Sequence, residues 1–184
     1  MRRRLTGALT AVLLAGCTSG LFQPDPYPLP AMPPTTAQSQ PVAIGRTVDA
    51  GLLYLTARPA DRIELVAAEA LGTLGDVPVY LLLSRVIRQN DGDWFLGDPE
   101  TLEPLAGAVF VGIDLPAGET FSAQSTVLIV GRMTPDRAGR FEVTSIRLRY
   151  RANDGPERVG EAISTPWAVC TADPAPQDCA VPSE

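Results

Sequence analysis

The chain has 184 residues and a formal net charge of −6, with fifteen basic side chains, every one an arginine, and no histidine. Without histidine there is no Ser-His-Asp or Cys-His constellation and no imidazole metal ligand, and without lysine there is no Schiff base and no Ser-Lys dyad. An enzyme would be left with carboxylates, Tyr, Ser, Thr and Arg, so the expectation is a noncatalytic protein that needs no cofactor.

At the N-terminus, Arg2, Arg3 and Arg4 precede a twelve-residue apolar stretch, residues 5–16. That is too short to span a bilayer and has the form of a signal-peptide core, not of folded structure. Leu14-Ala15-Gly16-Cys17 closes the stretch. This segment resembles the lipobox of bacterial lipoproteins. The resemblance implies that residues 1–16 are removed and that Cys17 becomes the acylated first residue, held on the outer side of a bacterial membrane, cell membrane or outer membrane. Two or three acyl chains hold durably where one holds only marginally. Arg2-Arg3-x-Leu5 also resembles a twin-arginine export signal, which leaves general secretion and twin-arginine export both open. All 21 acidic residues but only twelve of the arginines follow residue 16, a charge of −9. Such a chain repels phosphate backbones, so nucleic acid is not an expected partner.

Residues 17–47 form the next unit, with prolines at 24, 26, 28, 30, 33, 34 and 41. Proline lacks the N–H that helices and ladders need, so polyproline II at about 3.1 Å per residue is expected, a tether that stands the domain off the membrane. A proline-rich ligand for a partner is the rival reading.

Residues 48–170 suit one domain, and their hydrophobic pattern is strand-like throughout. Residues 52–57 and 62–70 are the first strands, the latter with Ile63, Leu65 and Ala67 on one face. Residues 77–87 set Val77, Val79, Leu81 and Leu83 against Tyr80, Leu82 and Val86, so both faces are expected to be covered, as in a central strand. Asn90-Asp91-Gly92 predicts a hairpin turn, because Asp and Gly tolerate positive φ. Strands follow around 109–115, 121–130 and 141–151, then a second turn at Asn153-Asp154-Gly155 and a strand over 158–163. Seven to eight short strands joined by turns predict an all-β antiparallel sandwich. Ile113-Asp-Leu-Pro-Ala-Gly-Glu119 before an alternating strand resembles the turn before a late strand in bacterial immunoglobulin-like domains. That resemblance implies an immunoglobulin-like sandwich, and such domains mostly bind, space or scaffold.

Three sets of side chains are candidates for function. Within residues 141–151 the apolar phase changes from Phe141 and Val143 to Ile146, Leu148 and Tyr150, which predicts a bulge near Thr144-Ser145. Arg147, Arg149 and Arg151 then share the opposite face, spaced about 7 Å apart. They could bind an anion or an acidic partner, or form a solvated face balanced by cross-strand Asp and Glu. Asp91, Asp93, Asp98 and Glu100 are candidate calcium ligands, although their spacing does not match an EF-hand loop. Trp94 and Trp167 are candidate aromatic contacts or core residues. A calcium-dependent carbohydrate- or solute-binding module, using Trp94, Phe95 and the acidic loop, is the alternative function.

Residues 171–184 are a Pro-rich tail. With Cys17 taken by lipid, Cys170 and Cys179 are an even pair in an oxidising compartment. Two thiols without histidine cannot complete a structural zinc site, and a redox pair is usually spaced CxxC. A disulfide that closes the tail loop is expected, and no metal. The functional expectation is a membrane-anchored extracytoplasmic lipoprotein that binds or scaffolds an unidentified envelope protein or polymer.

Overall fold

The computed structural model describes residues 31–32, 37–85, 87–90, 93–96, 102–112 and 126–180, with backbone alone for 31–32, 87–90 and 93–96. Among the described residues there are twelve strands: β1 (Ala31–Met32), β2 (Gln38–Ala43), β3 (Val48–Thr56), β4 (Arg62–Thr73), β5 (Val79–Ser84) and β6 (Ile87–Asn90), then β7 (Asp93–Leu96), β8 (Glu103–Pro104), β9 (Val109–Val111), β10 (Thr126–Met133), β11 (Gly139–Ala152) and β12 (Glu157–Ala172). Two five-stranded sheets hold ten of them, in the orders β1-β3-β10-β5-β8 and β2-β12-β11-β4-β9, and β6 pairs with β7 as a separate hairpin.

The first sheet is antiparallel throughout. The second is antiparallel except that β2 runs parallel to β12. β1, β8 and β9 are two- or three-residue edge pieces. With β1 and β2 counted together as one N-terminal strand that starts in the first sheet and switches to the second, the two sheets have seven principal strands. Taken in chain order, the first, second, fifth and fourth of them line one sheet, and the third, sixth and seventh the other. That is the strand order of an immunoglobulin-like sandwich.

Alternation explains which faces meet. Leu53, Leu55, Leu83, Ile129 and Met133 of the first sheet and Ile63, Leu65, Ile146, Leu148, Tyr150 and Trp167 of the second close one buried core. Tyr54, Leu128 and Val130 point to the other side of the first sheet, where Leu82 and Leu102 cover them. The first sheet is therefore apolar on both faces around Tyr54, Leu128 and Val130, but the covering of its outer face expected from residues 77–87 is partial: Tyr80 is 63% exposed, and next to it Arg132 pairs with Asp49 at 2.8 Å. β5 is not central, however. It lies between β10 and the two-residue β8, and its second apolar face joins a small satellite cluster through Leu82.

Three local irregularities set the register. Between Val143 and Ser145 the pairing of β11 shifts against both neighbours, which places a bulge at the predicted position. Opposite the single residue Thr144, β12 carries three, Ser164, Thr165 and Pro166. A second shift, at Arg149/Tyr150, leaves Val66 unmatched in β4. This extra residue reverses the expected phase there: Ala68 and Ala70 pack toward the core, while Ala67 lies on the outer face with Glu64 and Glu69. At the β11–β12 turn, Asn153 and Asp154 both have positive φ, 51° and 57°, and the Gly155 N–H donates to the Ala152 carbonyl at 2.9 Å. These are the marks of a type I′ hairpin turn, which matches the twist of the strands it joins.

One boundary differs from the sequence reading. The proline-rich segment up to residue 47 does not remain outside the domain, because Gln38–Ala43 forms a ladder with Trp167–Ala172. Pro41 is accommodated because β2 is an edge strand, where a missing N–H on the outer side breaks no ladder bond. The hairpin around Asp91-Gly92 is present as the pairing of Asn90 with Asp93. Asp91 and Gly92 themselves lie outside the described residues, as does the Ile113-to-Glu119 turn.

Candidate functional site

The first sheet carries an ion pair on its outer face, Arg132 with Asp49, whereas on the outer face of the second sheet charged side chains form an array. The registers of β4, β11 and β12 arrange it as a grid with β11 in the middle. Ser145 stands between Leu71 and Ile163. The next row is Glu69, Arg147 and Glu161, followed by Ala67, Arg149 and Val159, and then by Glu64, Arg151 and Glu157.

Each guanidinium has carboxylate partners. Arg147 contacts Glu69 at 3.1 Å and Glu161 at 3.7 Å. Arg149, whose own row is apolar, reaches diagonally to Glu157 at 2.6 Å. Arg151 contacts Glu64 at 3.4 Å and Glu157 at 3.7 Å. Ser145 adds a hydroxyl donated to Glu161 at 2.9 Å. These are the cross-strand acids that the second reading of the arginine stripe expects. An arriving anion would meet carboxylates on both flanks, and the seven ionised groups sum to one negative charge. A shallow depression of about 200 Å³ lies over Ala67 and Ala68, walled by Glu69, Arg147 and Arg149. It exists because alanine is small where its neighbours are long.

The grid has an apolar component as well. Ile163 and Val159 are 77% and 59% exposed, large β-branched side chains on the outer column of β12. Beyond them the strand has no neighbour among the described residues: β2 pairs only with Trp167–Ala172, because the chain before it belongs to the opposite sheet.

Trp167 is not a surface contact. It is 0% exposed, packed in the core, with its indole N–H donating to Gln40 Oε1 at 3.4 Å. The phase of β12 after its bulge turns position 167 inward. Trp94 stands opposite Gln89 in the β6–β7 hairpin, and its side chain is not described. Of the candidate calcium ligands, Asp93 lies in β7, while Asp91, Asp98 and Glu100 fall outside the described residues, as does Cys17. Among the described residues no group of three or more acidic or cysteine side chains is placed to hold a metal ion.

Cys170 and Cys179 are joined by a disulfide with Cα atoms 5.5 Å apart. Arg140 reaches across from β11 to the closed loop. Its Nη1 donates to the Ala180 carbonyl at 2.6 Å and lies 3.7 Å from Cys170 Sγ and 3.9 Å from Cys179 Sγ. Thr171 anchors the same end by donating to the Arg137 carbonyl at 2.6 Å. The tail is thereby folded against the sandwich. Sequence reasoning found the bridge but not Arg140, whose partner is a backbone carbonyl forty residues away.

No protein-family model matches the chain, and no curated protein matches it. Among solved structures, the ASH / PapD-like domain of human CEP192 (PapD-like domain 7) is similar at 11% sequence identity and a TM-score of 0.40, covering 84% of this chain and 95% of that one. The class of the protein, an all-β immunoglobulin-like sandwich, follows from its own strand order.

Proposed function

We propose that this chain is a lipid-anchored extracytoplasmic protein whose noncatalytic sandwich docks an envelope protein or polymer through the outer face of its second sheet. The observation that carries the reading is the Cys170–Cys179 bond. Of three cysteines it leaves only Cys17, inside Leu14-Ala15-Gly16-Cys17, and a disulfide suits an oxidising compartment. The grid supplies the docking surface, with paired charges for orientation and an apolar border for affinity. Neither histidine nor lysine is available for nucleophilic or acid–base work.

The test is fractionation of cells that make the wild type or Cys17→Ala. The wild type is expected in detergent-soluble membranes and the variant in the soluble extracytoplasmic fraction; membrane retention of the variant would refute the anchor. A photo-crosslinker at Ala67 in the wild type should then capture an envelope component that one placed at Asp76, away from the grid, does not.

A further inference from the structure

The register of β11 against β12 sets Arg140 directly opposite Cys170, and the parallel pairing of β2 sets Pro41 on the other side of the same cysteine. Residues opposed in this way stand about 4.5–5.5 Å apart at Cβ, so the ladder itself delivers a cation to the disulfide. Arg140 divides its guanidinium between two tasks. Nη2 faces Glu142 at 3.4 Å, while Nη1 lies 3.7 Å from Cys170 Sγ and 3.9 Å from Cys179 Sγ and donates to the Ala180 carbonyl at 2.6 Å. Both cysteines are half-buried, but Cys170 is held in the ladder, whereas Cys179 belongs to the tail between the exposed residues Asp178 and Ala180.

An intact disulfide is neutral and gains little from a cation beside it. A thiolate gains much: a neighbouring arginine lowers a thiol's pKa, and a sulfur of lower pKa leaves faster in thiol–disulfide exchange. We propose that the Cys170–Cys179 bond is a site of exchange with external thiols, attacked at Cys179, and that Arg140 stabilises the thiolate that departs at Cys170. An external thiolate attacks Cys179 Sγ. A new S–S bond joins the reagent to Cys179, the old one breaks, and its electron pair goes to Cys170 Sγ, which the strand keeps beside the guanidinium. A second thiolate then attacks the reagent's sulfur and releases Cys179 as a thiolate. The bridge gains two electrons, and two thiols become one disulfide; the reverse sequence closes it again. The spacing of the pair is not CxxC and need not be, because the bond is here the substrate of exchange. Its opening frees the tail beyond Thr171, which stays anchored to the Arg137 carbonyl.

A structural role for Arg140 predicts the opposite sign. As a clasp on Ala180 it keeps the two sulfurs together, so its loss would make the bridge easier to reduce.

The test treats the full chain, purified in detergent, with reduced glutathione at neutral pH and follows the bridge by alkylation and intact mass. Arg140→Gln keeps a donor for Ala180 and removes the charge, whereas Arg140→Lys keeps the charge; the side chain is part-exposed, and melting curves verify that both variants fold. Reduction is expected to slow about threefold or more in Arg140→Gln and to recover in Arg140→Lys. Peptide mapping of quenched samples should find the first glutathione adduct on Cys179. Reduction unchanged or faster in Arg140→Gln, lysine no better than glutamine, or a first adduct on Cys170 would each overturn the proposal. Faster reduction by thioredoxin than by glutathione at equal thiol would identify a protein dithiol as the reagent, and the reverse a small thiol. Either sustains the exchange, and reduction by neither would end it.

Discussion

Trp167 of the second sheet occupies the space in which a side chain at Gly131 of the first would stand: a Cβ built on Gly131 would lie 2.8 Å from Trp167 Cζ3 and 2.7 Å from Leu52 Cδ1. The two sheets touch here through an indole laid against bare backbone. Gly131→Ala should therefore overpack the core and cost roughly 1–3 kcal/mol. Trp167→Phe, which removes the offending ring carbons, should make the alanine cheaper than it is in the wild type. Urea denaturation of the two single variants and the double variant checks this. A coupling of zero would mean that the indole is not what excludes the methyl group.

The disulfide and Arg140 act on the same tail, so their effects should be coupled. A loop of about ten residues gives roughly 2.5–3 kcal/mol in the chain-entropy account of disulfide stabilisation, and Cys170→Ser with Cys179→Ser should lose about that much. Arg140→Ala in the bridged protein should cost about 1 kcal/mol through its bond to Ala180. In the variant without cysteines, where the tail is free to leave, that cost should shrink toward nothing. Equilibrium denaturation of the four proteins measures both terms.

Burial raises the pKa of the Tyr54 phenol above its ordinary value near 10. The folded state then holds the phenolic proton more tightly than the unfolded state does, so this contribution is intact below pH 10 and is lost as pH rises from there through the folded-state value. The protein should lose stability in alkali, and Tyr54→Phe should flatten that loss while leaving the neutral-pH transition little changed in cooperativity. Melting curves from pH 8 to 12, with tyrosinate absorbance followed alongside, provide the check. An identical alkaline decline in the variant would place the cause elsewhere.

The ion pairs of the grid should contribute little to folding. All of them are at least partly open to solvent, and exposed pairs of this kind are worth about 0–1 kcal/mol. Arg149→Gln should shift stability by less than about 1 kcal/mol, and the difference should vanish at high salt, where exposed charges are screened. Thermal melts at low and high ionic strength distinguish this from a structural role for Arg149, which salt would not erase.

What could be read from the sequence was what depends on neighbours in the chain. The change of apolar phase between Val143 and Ile146 located the bulge at Thr144, and Asn153-Asp154-Gly155 located the turn, because each is a local demand on backbone geometry. The side-by-side arginines followed from the period of two. Their partners did not: Glu69 is 78 residues from Arg147 and Glu64 is 87 from Arg151, separations that only the register of β4 against β11 brings together. The same non-locality hid β2, whose prolines suggested polyproline II until the parallel pairing with β12 gave its backbone a partner. Ala67 pointed the wrong way for a different reason. The extra residue at Val66 leaves no mark in composition. Trp167 was ambiguous because a single tryptophan does not show which face its strand will bury.

The parallel pairing of Gln38–Ala43 with Trp167–Ala172 also fixes how the molecule carries mechanical load. A pull on the chain before residue 38, opposed by a hold at the far end of β12, draws the two strands along each other, so the ladder bonds resist together in shear instead of opening singly like a zipper. The Cys170–Cys179 bridge shortens the route: tension applied beyond residue 179 enters β12 at Cys170 and bypasses the loop between them. The two ends of the domain are thus joined through a seam that is loaded in shear.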